Sequence, residues 1–171
     1  MEKIKTNLNK MLLDRRYIHF ENLEDEKMVY KNENDKKILI IFYNIKNEKV
    51  GVDYVKRIIE MTEEMDIEHI ILVTCDKLTP FANKHILNHT LKIEVFLFEE
   101  LKFNVTEHEL VPRHTLLSID ESQKVIEKYG RRYLPQIKKT DIISRYFDAE
   151  LGQIMMIHRN EGGISYRLVV N

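Results

Sequence analysis

Two short runs limit the architecture of this chain more than anything else in it: residues 38–45, ILIIFYNI, and residues 70–75, IILVTC. Each is apolar and rich in β-branched and aromatic side chains, without the alternation of a strand that turns one face to water. That pattern belongs to strands buried on both faces, in sheets covered by helices. Between the runs Val52, Val55, Ile58, Ile59 and Met65 recur at helical spacing, which predicts a helix over 52–66. Further strands are predicted at 69–75 and 91–98 (LKIEVFLF), and a further helix at 80–90. Strand–helix–strand–helix–strand with short connections implies right-handed crossovers and a small, mostly parallel sheet. Upstream, Ile4, Leu8, Met11 and Leu12 place an amphipathic helix at 3–16, and the polar residues after it, including KNENDKK at 31–37, read as a solvated loop.

After Phe103 the pattern changes. Ser118-Ile119-Asp120-Glu121 is a capping box, in which Ser118 accepts from the Glu121 amide and the Glu121 carboxylate reaches back. The helix it starts carries Val125, Ile126 and Tyr129 and stops at Gly130. Leu134-Pro135 forbids helix, Thr140 is placed to cap a short helix carrying Ile142, Ile143, Tyr146 and Phe147, and 153–159 and 164–170 read as two strands of a hairpin joined by E-G-G. In the last strand Ile164, Tyr166, Leu168 and Val170 share one face, and Ser165 and Arg167 the other. The chain therefore divides near residue 105 into an α/β module (1–105) and an α+β module (106–171).

With 43% apolar and 32% charged residues the composition is that of a soluble globular protein. The formal net charge of -1 gives no general affinity for nucleic acid, although residues from Leu110 onward carry ten Lys+Arg against seven Asp+Glu. Arg113, Arg131, Arg132, Lys138, Lys139, Arg145, Arg159 and Arg167 make up most of that excess, and Arg145 and Arg167, beside Tyr146 and Tyr166, suit fixed hydrogen-bonded contacts. Cys75 is the only cysteine, which removes disulfides and cysteine-based zinc sites; ending an apolar run, it is expected to be a buried, inert thiol. No stretch has the length of a membrane span and the N-terminus lacks a signal peptide's apolar core, so the chain reads as intracellular with no membrane partner.

Catalytic patterns fail one by one. His108-Glu109 begins like the zinc-peptidase motif H-E-x-x-H, but the position four on is Pro112 and His114 lies six on, so two histidines cannot converge from one helix. His85 and His89 are four apart on a predicted helix, with no third ligand in sight. A nuclease-like core would place Glu-x-Lys on a strand so that carboxylates hold Mg²⁺; here Glu94-Val95-Phe96 has phenylalanine in the lysine position, and residues 38–43 contain no acid. Glycine-rich phosphate loops are missing. No metal, cofactor or catalytic residue is assigned.

Several stretches are nevertheless familiar together. NVTEHELVPRH (104–114), LPQI (134–137), SRYF (144–147) and YRLV (166–169), with KVGV (49–52), LTP (78–80) and more faintly DRRY (14–17), resemble the fifth common subunit of eukaryotic nuclear RNA polymerases, whose C-terminal part corresponds to a small archaeal RNA polymerase subunit. The resemblance covers almost the whole chain. It implies a hetero-oligomeric, non-catalytic subunit of a DNA-directed RNA polymerase: an N-terminal jaw module, nuclease-like but inactive, and a C-terminal assembly module docked on the largest subunit. His108, Glu109, Leu110, Val111, Pro112, Arg113 and His114, with Leu134, Pro135, Arg145, Tyr146, Tyr166 and Arg167, would organise the assembly module and its docking surface. Thr79 and Pro80 would sit nearest downstream duplex DNA, contacted weakly and only within the complex. Location would be the nucleus in a cell, or host cytoplasm or virion for a copy encoded by a large DNA virus. The family pattern has Asp-Pro where this chain has Asp141-Ile142, glycine where Asp148 stands, and a longer hairpin tip than Arg159-Asn160-Glu161-Gly162-Gly163; the jaw is shortened between its first helix and first strand. A stand-alone transcription adapter derived from such a subunit and a degenerate Mg²⁺-dependent nuclease are the competing expectations.

Overall fold

A computed structural model describes residues 1–23, 26–46, 48–159 and 162–171, in two compact units, Met1–Phe103 and Asn104–Asn171. In the first unit the two apolar runs become neighbouring central strands. The five-stranded sheet has the order β1-β2-β3-β4-β5, built from β1 (Tyr17–Leu23), β2 (Lys27–Asn32), β3 (Lys37–Tyr43), β4 (His69–Thr74) and β5 (Lys92–Leu97). Strands β3, β4 and β5 are parallel, linked by α2 (Val52–Glu64) and α3 (Pro80–Leu87). Leu39, Ile41, Ile70 and Leu72 face a core completed by Val55, Ile58 and Ile59 of α2. Ile38, Ile40, Phe42, Ile71 and Val73, also buried, point the other way, toward α1 (Glu2–Asp14), whose Lys5 ammonium lies 5.4 Å from the Phe42 ring centre. A short α4 (Phe98–Leu101) is tied to α1 where Asn7 Nδ2 donates to the Leu101 carbonyl at 2.8 Å. Truncating a fully buried central residue such as Leu72 to alanine would cost about 2–5 kcal/mol.

The sheet is mixed rather than mostly parallel, because the segment read as a loop supplies an antiparallel hairpin. Asn22 and the exposed β1 residues on both faces give that strand no alternation to read, and β2 is fixed by its pairing with β3 rather than by its own composition. Only 33–36 of KNENDKK is a turn, closed by Asn32, whose Oδ1 accepts from the amides of Asn34 and Lys36. Glu24 and Asp25, within the same predicted loop, lie outside the described residues. Because β4 ends at Thr74, Cys75 is half-exposed rather than buried, with Sγ 3.5 Å from Asn44 Oδ1.

The second unit is a four-stranded sheet of order β6-β8-β9-β7, from β6 (Arg113–Leu116), β7 (Gln136–Lys138), β8 (Ile154–His158) and β9 (Ile164–Val170), with helices α5 (Ile119–Tyr129) and α6 (Ile142–Tyr146). Both its faces are covered. Ile154 and Leu168 pack with Val125 and Ile126 of α5, while Met155, Ile157 and Val169 pack with Ile143, Val105 and Val111. The Ser118–Glu121 capping box forms as its spacing predicts, with amide-to-side-chain distances of 2.9 and 3.3 Å. Gly130 stops α5 at φ +80°, and a Cβ there would lie 3.0 Å from the Tyr133 ring, so glycine is required on both counts. The cap of α6 is Asp141, accepting from the Ile143 amide at 2.9 Å, rather than Thr140; the helix begins one residue later than the Thr140 cap requires, and the carboxylate reaches the second amide of its first turn. Asp148 sits at φ +54°, the left-handed region in which glycine is at ease, and this is the position where the resembled family has glycine. At the tip of the β8–β9 hairpin Asn160 and Glu161 lie outside the described residues.

Candidate functional site

In the first unit the strand position that would bear a nuclease carboxylate is already occupied by other work. Glu94 projects from β5 on the α1 side of the sheet, level with Ile71. Arg15, just beyond α1, holds it with two parallel bonds, Nη1–Oε1 at 2.7 Å and Nη2–Oε2 at 2.9 Å, and His69 Nε2 donates to Oε1 at 2.7 Å. All three side chains are largely buried. Burial pushes the Glu94 carboxyl up, but the His69 hydrogen bond and the charge and paired bonds of Arg15 outweigh it and bring the value down to about 2. Both oxygens are spent on a resident cation and a ring N–H, so Glu94 is a strut between helix and sheet, and the nuclease expectation loses its carboxylate.

Thr79 caps α3, its hydroxyl accepting from the Ala82 amide at 3.3 Å, and its own amide donates to the Val50 carbonyl at 3.0 Å. Pro80 follows as an exposed first helical residue. The pair therefore shapes a helix start and presents a ring edge to solvent. His85 and His89 lie with ring centres 6.2 Å apart; His89 Nδ1 accepts from the Leu91 amide, turning Nε2 toward Glu63 Oε1 at 4.0 Å. His89 therefore has its Nδ1 lone pair committed to a backbone amide and its Nε2 turned to Glu63, an arrangement that holds the ring in place locally.

The second unit brings together most of the motif residues that sequence alone had set apart, though in different roles. In HELVPRH, His108 Nδ1 accepts from the Leu110 amide at 3.2 Å and the His108 carbonyl from the Val111 amide at 2.8 Å. This local turn sends Val111 into the core and leaves His108, Glu109 and Leu110 exposed, Leu110 at 83%. His114 is half-buried and its Nδ1–H donates to the Pro112 carbonyl at 2.6 Å. Burial holds its pKa below the ordinary imidazole value, the charges of Arg167 and Arg159 act the same way, and the Pro112 bond and Asp141 oppose them. Arg113 is exposed at the start of β6. Leu134 and Tyr146 are core residues, the latter edge-on to Phe147 at 5.1 Å, and so shape the unit rather than its surface. The Pro135 carbonyl accepts from the Leu168 amide at 2.8 Å, and Tyr166 packs against Tyr129 with ring centres 5.7 Å apart. Arg145 is half-buried. Arg167, expected as a fixed hydrogen-bonded residue, is instead exposed and makes no hydrogen bond or ion pair among the described residues; β9 turns it outward past the rim of the α6 cover.

Register explains what gathers there. Across the sheet His114, Ile157 and Ser165 form one row and Leu116, Met155 and Arg167 the next, all on one face. Arg159, just past β8, donates from Nε to Ser165 Oγ at 3.3 Å and so joins the same face. Sequence reasoning placed Arg159 in the basic excess and at the start of the hairpin tip, without assigning it to the docking surface; the signal available was its odd-numbered alternation with Ile157 and Met155.

The family described as "RNA polymerase Rpb5, C-terminal domain" matches residues 103–169. A Caenorhabditis briggsae protein named as subunit RPABC1 of DNA-directed RNA polymerases I, II and III is 33% identical over 151 residues, spanning 84% of this chain and 71% of that one. The Dictyostelium discoideum subunit of the same name is 28% identical over 98% of this chain and 96% of its own length. A Methanothrix thermoacetophila protein, DNA-directed RNA polymerase subunit Rpo5, is 41% identical over 41% of this chain and 97% of its own. Part of the chain matches an almost entire archaeal protein, and most of the chain matches the longer eukaryotic ones: this chain belongs to the RPABC1/Rpb5 family of fifth subunits of DNA-directed RNA polymerases.

Proposed function

We propose that the second unit docks this chain on the largest subunit of a DNA-directed RNA polymerase, while the first unit lies beside downstream duplex DNA. As a family member the chain is a non-catalytic component of a multi-subunit RNA polymerase, with no active site of its own. In a cellular eukaryote that role belongs in the nucleus; a virus-encoded copy would work in host cytoplasm or virion. The observation that carries the docking reading is Arg167, held out from a strand whose neighbours Leu168 and Val169 are fully packed. Its backbone is already ordered, and its planar fork loses less side-chain freedom per hydrogen bond formed than a lysine would. On its face of the sheet His114 and the α6 residues Arg145 and Tyr146 belong to the same docking reading, while Leu134 and Tyr166 pack on the opposite, α5 face and would serve it only by holding the sheet. DNA contact at Thr79-Pro80 would be weak, since affinity for duplex comes from phosphate neutralisation and neither residue is charged.

The test is affinity capture of the largest subunit with full-length tagged protein. Arg167→Ala is expected to weaken capture by about 2–5 kcal/mol, as for one partner of a buried interfacial charge pair, and Lys124→Ala, exposed on α5, by under about 1 kcal/mol. Equal effects would refute the ranking. Loss of capture with the wild-type chain would refute the reading, and recovery mainly outside the polymerase-sized fraction would favour a stand-alone adapter.

A further inference from the structure

The rim that carries Arg167 has a charge pattern that says what kind of surface fits it. Arg167, Arg159 and His114 rise from three different strands or strand ends onto one sheet face, with Ser165 between the two arginines. Arg159 leans along the face to Ser165, two residues from Arg167 on β9, and the charges of both arginines act on His114, so the three groups share a patch that one short segment of chain can span. Among the described residues neither guanidinium is bonded to a carboxylate: Arg159 meets only the Ser165 hydroxyl, and Arg167 meets nothing. Among the described residues Asp141 is an acid whose charge reaches His114 in this patch, and its Oδ1 is engaged in capping α6 at the Ile143 amide. Two unneutralised forks and a hydroxyl on a rigid sheet fit paired carboxylates, because guanidinium binds that group bidentately and water competes for it poorly once the patch is covered.

The geometry points to a carboxylate clamp: Arg159 and Arg167, with Ser165 setting the direction of Arg159, receive an acidic segment on the surface of the largest polymerase subunit. This rests on the docking reading above and specifies its chemistry. His114 sits beside the clamp as a neutral ring committed to the Pro112 carbonyl, so it supports the strand without adding a third charge.

The experiment uses the full chain, co-expressed with the largest subunit and captured by a tag. Wild type is compared with R159A/R167A, R159K/R167K and the control R131A/R132A, whose exposed arginines lie on the turn after α5; circular dichroism melts establish that each variant is folded. Capture by R159A/R167A is expected to fall at least tenfold, that of R159K/R167K several-fold, and that of the control less than twofold. Raising salt from about 0.1 to 0.5 M should weaken wild-type capture by a larger factor than the residual capture of R159A/R167A, since the variant has lost two of the charges that screening acts on. Wild-type capture with no difference for R159A/R167A would overturn the clamp and leave docking intact. No capture by wild type would overturn both. Undiminished capture by R159A/R167A together with lost retention of a labelled duplex oligonucleotide would overturn the clamp in favour of a phosphate site.

Discussion

Arg15, His69 and Glu94 allow the interior of the first unit to be tested with one double-mutant cycle. The Glu94 carboxyl is brought down to about 2 from 4.5, which corresponds to roughly 3 kcal/mol of preference for the ionised form in the folded state. The folded value is depressed, so this stability is fully present above pH 4.5 and is lost as pH falls from there through about 2. Arg15→Ala leaves a carboxylate under the helix without its cation, and the expected cost is about 3–5 kcal/mol. Glu94→Gln leaves a guanidinium with a neutral partner and should cost about 2–4 kcal/mol by the same argument. Arg15→Met with Glu94→Leu removes both charges and fills similar volume, and such exchanges are often neutral or better. The assay is urea unfolding followed by near-UV signal, since the first unit holds Tyr17, Tyr30, Tyr43 and Tyr54. The decisive number is the coupling in the cycle of Arg15→Met, Glu94→Leu and the two together: the double variant should recover at least about 2 kcal/mol relative to the sum of those two singles. Additive losses, or a Glu94→Gln penalty that stays constant from pH 6 to pH 2.5, would refute the account of Glu94 as a neutralised strut.

Other expectations follow from single contacts. Ser118→Ala removes the cap of α5 and its reciprocal bond from Glu121, and should lower stability by about 1 kcal/mol in thermal or urea unfolding. Asp148→Val places a β-branched residue at φ +54° and should cost about 1–2 kcal/mol, whereas Asp148→Gly should be tolerated. His114 should titrate below a free imidazole in an NMR pH series, and Arg167→Ala should move it upward, because the arginine charge helps keep the ring neutral. The lowered value also means that the unfolded state takes up a proton first, so this residue's contribution to stability declines as pH falls below about 6.5.

What could be read from the chain, and what could not, divides along physical lines. The runs at 38–45 and 70–75 announced buried strands because a strand covered on both sides has no polar positions left to place. The helix at Val52–Glu64 was equally plain, its buried Val55, Ile58, Ile59 and Thr62 falling on one side of a 3.6-residue turn. The β1–β2 hairpin was not, since Ile18, Phe20 and Glu21 are all exposed and the strand exists through pairing with its neighbour. A capping box is a local device and was legible at Ser118; the choice between Thr140 and Asp141 depended on the angle at which the chain enters a five-residue helix, which no local pattern encodes. Within the motifs that carry the resemblance, composition alone does not tell Arg167, which β9 turns to solvent, from Leu134 and Tyr146, which pack in the core. The strand register sets Arg159 on the same face as Arg167, which its place at the start of the hairpin tip did not reveal.

The two units illustrate opposite ways for charged side chains to acquire a fixed geometry. Arg15 and Glu94 satisfy one another inside the first unit, so their charge is consumed by the fold and is silent toward any partner. Arg159 and Arg167 stand at the end of one strand and on the next with no carboxylate bonded to either among the described residues, so the energy of their direct pairing is still available to whatever covers them. A protein whose task is to hold its place in a larger assembly needs the second arrangement at its interface and the first in its interior. The net charge of -1 hides both, because a chain-wide sum cannot distinguish a cation already paired from one presented on a surface. Exchanging the two arrangements makes the difference measurable. R15M/E94L should leave capture of the largest subunit within about twofold of wild type while abolishing the acid-dependent change in stability. R159A/R167A should do the reverse, lowering capture with little effect on unfolding, since neither arginine holds a charge partner within the described fold. If instead the interior pair governs capture, or the surface pair governs stability, the division of labour between the two units is wrong.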